Sequence, residues 1–306
     1  MEPSPASCGL RFRLADAPGD ETPGTLTVHR AAGEPPTGWP EVAGREAAAR
    51  GLTVSASPAG DRYLMCWDDG PSFLLSGSQV TVHGAADLTA DELSWYLLGP
   101  VAAFWLRWQG RFLLHAGAVA FSGRAVALAA PSGRGKSTLV AALVGRGALG
   151  VADDLAHLET GADGWRVHPA APRHLLWPDA ADRFTPAAGV GAADCRWDKL
   201  AVPTAGRWAP ADRPLPLAHL LLLRPAPPGA APAVTPLSAG VAAARLLANL
   251  HAGWYGDAAV RARDLARTAE LAESVGAAEL VVPRDLDRLD EVAAVVERHA
   301  AGEAVR

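Results

Sequence analysis

The chain has 306 residues, 49% of them hydrophobic, and a formal net charge of −5. That length makes one large or two modest domains with ample apolar material for a core, and the acidic balance excludes a nucleic-acid-binding surface. No apolar run reaches the length of a membrane span, because the longest candidate, 96–106, is interrupted by Gly99-Pro100.

The first ten residues carry neither a basic n-region nor an apolar h-region, so no signal peptide is expected. Cys8, Cys66 and Cys195 are far apart, odd in number and without metal-site spacing, which points to a reducing, cytoplasmic compartment. Residues 1–88 read as a β-rich module. Short strand-like runs recur at 10–14, 25–29, 52–55, 63–67, 72–75 and 79–83, separated by turn-formers such as Asp69-Gly70-Pro71. Thr89-Ala90-Asp91-Glu92 fits a capping box and opens a connecting helix over 89–110. Trp95, Trp105 and Trp108 fall near helical spacing as core residues, and Gly99-Pro100 predicts a kink. A third unit, 111–306, begins with a predicted hairpin, 112–121 and 125–130, turning at Ser122-Gly123.

The second strand of that hairpin runs into Pro131-Ser132-Gly133-Arg134-Gly135-Lys136-Ser137-Thr138, which matches the A/G-x-x-x-x-G-K-[ST] spacing with Ala130 in place of the first glycine. The strand–loop–helix context makes this a nucleoside-triphosphate site, for ATP or another NTP. Gly133 and Gly135 let backbone N–H groups turn inward on phosphate oxygens, and the helix that follows adds its positive end. Lys136 would reach the β- and γ-phosphates, and the Ser137 hydroxyl would ligate Mg²⁺. Of the 28 Lys and Arg residues only Lys136 and Lys199 are lysines, so a compact ammonium at 136 is the residue that an arginine-biased composition has kept.

Beyond the loop, a helix is expected to end near Gly145 at a C′ position, followed by a short apolar strand, 149–152, that terminates in Asp153-Asp154. Acidic residues at such a strand end can hold the metal and accept the proton of an attacking hydroxyl, one role each. A second hairpin is expected over 155–158 and 165–168. The region 169–216 reads as a long irregular loop with scattered cations, including Arg196 and Lys199. A buried strand over 218–223, a Pro/Ala linker over 225–236, helices over 238–250 and 257–274, a strand over 279–282 and an amphipathic helix over 285–299 complete the chain.

Leu114-His115-Ala116-Gly117-Ala118-Val119, the loop with its leading strand, and Gly150-Val151-Ala152-Asp153-Asp154 together resemble the HPr kinase/phosphorylase superfamily. Within it the chain is similar to stand-alone HPr kinase-related proteins of biosynthetic clusters, among them kinases of lasso-peptide clusters that phosphorylate a serine of a precursor peptide. The firm part of the resemblance spans 110–155. Weaker similarity continues through 176–179, 198–203 and 282–286. It implies an α/β fold with a P-loop kinase core of the HPr kinase/PEP carboxykinase-like type, an N-terminal β-rich module and C-terminal helices. It also implies His115 as a partner of the attacking or transferred group, Asp153 as general base, Asp154 as metal ligand, and Lys199 or Arg196 as a basic clamp. The E-[IV]-R-G signature that true HPr kinases carry after the aspartates is replaced by Leu155-Ala156-His157-Leu158-Glu159, which removes the sequence basis for HPr as substrate and for the reverse phosphorylase reaction.

The expected function is therefore ATP- and Mg²⁺-dependent phosphorylation of a serine-type hydroxyl on a peptide or small protein. A small-molecule hydroxyl kinase is the alternative, followed by a non-catalytic nucleotide switch. No nucleic-acid or membrane partner is expected, and a homo-oligomer is compatible with the sequence.

Overall fold

The computed structural model describes residues 8, 10–14, 25–42, 47, 51–184, 199–204 and 206–303. The fold is mixed α/β. Strands β1 (Arg11–Leu14), β2 (Thr25–Arg30), β3 (Leu52–Ala56), β4 (Arg62–Trp67), β5 (Ser72–Ser76) and β6 (Gln79–His83) form one six-stranded sheet in the order β1-β2-β6-β5-β4-β3. The β1–β2 and β2–β6 pairs are parallel, and the remaining pairs are antiparallel. Buried and half-exposed residues alternate along β3 and β5, as the two-residue strand period requires of a sheet with one face on a core.

The Thr89 capping box is present: its hydroxyl accepts from the Glu92 amide, and the Glu92 carboxylate accepts from the Thr89 amide at 2.8 Å. It opens α1 (Ala90–Tyr96), which passes through a π-helical turn, 97–101, into α2 (Ala102–Trp108). The expected kink at Gly99-Pro100 thus takes the form of a widened turn. Pro100 cannot donate a helical hydrogen bond, and the wider ring accommodates it. Arg107 of α2 lies fully buried, donating two hydrogen bonds to Asp264, one at 2.8 Å.

The second sheet has nine strands: β7 (Phe112–Leu114), β8 (Ala116–Phe121), β9 (Arg124–Ala129), β10 (Leu149–Ala152), β11 (Ala156–Gly161), β12 (Gly164–His168), β15 (Leu215–Pro225), β16 (Ala233–Leu237) and β17 (Ala277–Val282). The main path runs β10-β8-β9-β15-β12-β11-β7, with β17 beside β15 and β16 outside β17. Its centre is parallel, β9 with β15 and β15 with β17. Ala125 to Ala129 are buried on both faces, which is why that run reads as continuously apolar. Helices α3 (Lys136–Gly145) and α7 (Leu289–Ala300) cover one face through Leu139, Leu143, Val292 and Val296. On the other face α5 (Ala239–Leu247) and α6 (Ala258–Ser274) join α1, α2 and the six-stranded sheet in one continuous apolar cluster. No helix among the described residues is long and apolar enough to cross a membrane.

Four expectations from the sequence change. The first hairpin strand is two strands: β7 pairs with β11 and β8 with β9 and β10, with His115 at the switch. The supposed loop 169–216 contains β13 (Arg173–Leu176), α4 (Pro178–Phe184) and β14 (Leu200–Pro203), and β13 and β14 form their own two-stranded sheet. The Pro/Ala linker contains β16, an edge strand on which Pro236 is tolerable because only one side is paired. Helix α3 runs through Gly145, and Gly147, at φ 113°, takes the exceptional backbone conformation instead.

Candidate functional site

The site forms where β9 ends, the 130–135 loop turns and α3 begins. Gly133 (φ 72°) and Gly135 (φ 84°) hold left-handed conformations that a Cβ would strain, and Gly135 is the N-cap of α3. The loop from Pro131 to Gly135 is exposed, Lys136 is buried, and Ser137 and Thr138 on the first helical turn are half-exposed. The helix lies tight on β8: a Cβ at Gly117 would stand 2.5 Å from Val140 Cγ2.

The Lys136 ammonium donates to the Ala130 carbonyl at 2.8 Å and lies 3.1 Å from His115 Nε2. The same His115 nitrogen is 2.7 Å from Asp154 Oδ1. Lys136, His115 and Asp154 therefore meet at one atom, although they come from a helix start, a strand switch and a strand end. Burial lowers the Lys136 pKa to about 8, against the opposing pull of Asp154 and Asp153. For Asp154, burial opposes ionisation, but the His115 hydrogen bond and the nearby basic groups His115, His251 and Lys199 outweigh it and hold the carboxyl well below its ordinary range. Asp154 also has φ 74°, a conformation uncommon outside glycine.

Asp153 is held by different partners. Its carboxylate is almost fully buried, and Oδ2 accepts the Leu175 amide at 3.1 Å. Its other oxygen, Oδ1, is buried without a hydrogen-bond partner. The strand that delivers both aspartates is fixed from outside by Trp208, whose ring would collide with any Cβ at Gly150 (2.2 Å) and whose indole N–H donates to the Ala170 carbonyl at 2.8 Å.

Of the other residues marked out by the sequence, Lys199 rests over the Trp177 ring at 5.9 Å and acts electrostatically on both Lys136 and Asp154. Arg196 lies outside the described residues. Arg134 projects into a cleft of about 280 Å³ shared with Pro131, Arg224, Arg245 and Asn249. Arg224 and Arg245 clasp Glu279 there at 2.6 and 2.7 Å.

His251 was not singled out by sequence reasoning, yet it belongs to the site. Its ring lies 6.0 Å from that of His115, edge to face. The segment that carries it is laced to the β7–β8 switch, with the His115 amide donating to the Asn249 carbonyl (2.7 Å) and the His251 amide to the Leu113 carbonyl (3.0 Å). The available signal was an Asn-Leu-His step breaking the apolar pattern just beyond a helix.

No family profile matches the chain, and no curated protein sequence matches it. Among solved structures it is similar to the Hpr(Ser) kinase/phosphatase from Coxiella burnetii, at 12% identity and a TM-score of 0.33, over 62% of this chain and 97% of that one. A likeness of that size carries no functional weight.

Proposed function

We propose that the chain is an ATP-dependent kinase that phosphorylates a serine-type hydroxyl on a peptide or small protein, built on a P-loop kinase core of the HPr kinase/PEP carboxykinase-like type. In this reading 111–306 is the kinase unit, 1–88 an accessory β module and 89–110 the helix between them. The observation that carries the proposal is the meeting of Lys136, Asp154 and His115 at His115 Nε2, beside the glycine-turned loop.

A phosphoryl donor needs inward N–H groups and a compact cation, and the loop with Lys136 supplies both. An acceptor hydroxyl is a poor nucleophile until its proton has a destination. The His115–Asp154 pair, in contact at 2.7 Å, is that destination here. The hydroxyl oxygen bonds to the γ-phosphorus, the bond from that phosphorus to the β,γ-bridging oxygen breaks, ADP leaves, and the proton passes to the pair. The family resemblance implies Asp153 as base and Asp154 as metal ligand. The geometry supports giving the proton to the Asp154 side, because the Asp153 carboxylate is buried against the Leu175 amide.

Mg²⁺ fits the donor set: it takes oxygen ligands, and the Ser137 hydroxyl and the unpartnered Asp153 Oδ1 are oxygens at the helix start and the strand end. Those residues would hold it, and it would neutralise charge on the β- and γ-oxygens. Lys199 adds positive charge on the open side as a phosphate clamp.

The test is label transfer from γ-³²P-ATP into a panel of serine peptides and, separately, a panel of small hydroxyl compounds including free serine. Label in peptide, lost in Lys136→Met, is expected. Label confined to small compounds overturns the peptide acceptor, and nucleotide binding without acceptor-dependent ADP release overturns the kinase.

A further inference from the structure

His157 and His168 face each other across the β11–β12 ladder, and Glu159 stands two residues along β11 on the same face. The imidazoles stack at 4.1 Å between centroids, tilted by only 8°. His168 Nε2 lies 3.0 Å from Glu159 Oε2, and one ligand atom from each of the three residues falls within 4.8 Å of the others.

The tautomer of His157 is fixed by its surroundings. Nδ1 lies 2.9 Å from the Cys8 carbonyl, which can only accept, so Nδ1 carries the proton and Nε2 a lone pair. That Nε2 is buried and has no hydrogen-bond partner, on a residue only 4% exposed. An unsatisfied buried nitrogen is costly in an interior. A ring nitrogen whose opposite N–H is pinned by a backbone carbonyl is also the usual state of a metal-bound histidine.

We propose that His157, His168 and Glu159 form a binding site for a divalent transition-metal cation of the zinc class, with a fourth position open to water. Two imidazoles and one carboxylate suit Zn²⁺ rather than Mg²⁺, whose preference is for oxygen ligands. The site is thus chemically distinct from the oxygen-rich Ser137–aspartate end of the kinase reading and independent of it. Tetrahedral coordination with bonds of about 2.0–2.1 Å brings ligand atoms to about 3.3 Å apart. Binding would therefore require the two rings to splay from their stacked arrangement so that their in-plane lone pairs converge. Glu159 is about a third exposed at the side chain and His168 about an eighth, which leaves an entry path from solvent. Through its carbonyl, Cys8 would be tied to an ion held here.

The experiment is a Zn²⁺ titration of the full chain stripped with chelator, followed by calorimetry, with Co²⁺ as the spectroscopic probe. Expected are one equivalent of Zn²⁺ bound and a tetrahedral Co²⁺ d–d spectrum. Both should be retained in Lys136→Met and unmoved by millimolar Mg²⁺. Glu159→Gln and His168→Gln, the two more exposed ligands, should each weaken Zn²⁺ binding by more than about 100-fold, the upper range for loss of a mere outer-shell partner, with circular dichroism unchanged. Absence of stoichiometric binding, an octahedral Co²⁺ spectrum, or undiminished affinity in the Glu159→Gln, His168→Gln double variant overturns the site.

Discussion

In the six-stranded sheet, burial alternates along β3 and β5 and aromatic rings fill the centre, with Phe73 lying 5.6 Å from Trp67 and 5.4 Å from Tyr96. At the mouth of β9 the regularities fail together. A lysine is buried, a carboxylate oxygen has no partner, and two of the four described non-glycine residues with positive φ, Asp154 and Ala252, stand beside His115 and His251. Both regions share one apolar cluster, so they differ in purpose rather than in quality of packing. Local rules bend furthest where polar groups must converge, although buried polar atoms without partners also occur in the six-stranded sheet, at His29 Nδ1 and His83 Nε2.

The contrast can be broken from either side. Asp154→Asn should lower acceptor phosphorylation by about 10²–10⁴-fold, the range for loss of a proton acceptor, while Asp153→Asn should retain more turnover. Equal losses in steady-state assays would remove the distinction between the two aspartates. Phe73→Ala, in the regular sheet, should cost about 3–5 kcal/mol in urea unfolding and leave turnover of the folded fraction unchanged. Thr89→Ala removes a cap that satisfies a helix-terminal amide, and about 1 kcal/mol should be lost with no effect on nucleotide affinity.

The smallest effect concerns pH. Burial, and for His219 also the neighbouring His299, lowers both imidazoles from 6.5. Between the lowered values and 6.5 the unfolded chain binds protons that the folded chain refuses, so stability should fall as pH drops below about 6.5. Thermal melts should show this slope flattened in His299→Gln, and an unchanged slope would remove the pair from the acid response.

What the sequence disclosed follows the same division. The 130–138 loop, the capping box and the Asp153-Asp154 strand end were legible because each is a local pattern whose chemistry lies within a few residues. His115 was visible as a residue but not as the point where one strand becomes two, since that depends on which partners β7 and β8 find. His251 was hidden because only the docking of the segment after α5 onto β7 brings it to the site. Strands β13, β14 and β16 were obscured by short length and by proline, whose exclusion from sheets does not extend to edges. The two aspartates look interchangeable as letters, and it is their partners, His115 for Asp154 and the Leu175 amide for Asp153, that separate them.

The loop and Lys136 should together form a triphosphate site. Calorimetric titration of the full chain with MgATP tests this without knowledge of the acceptor. Saturable binding of one equivalent is expected, weakened by about 10²–10³-fold in Lys136→Met, the scale for losing one preorganised cationic donor. No saturable binding, or equal binding in the variant, would contradict it.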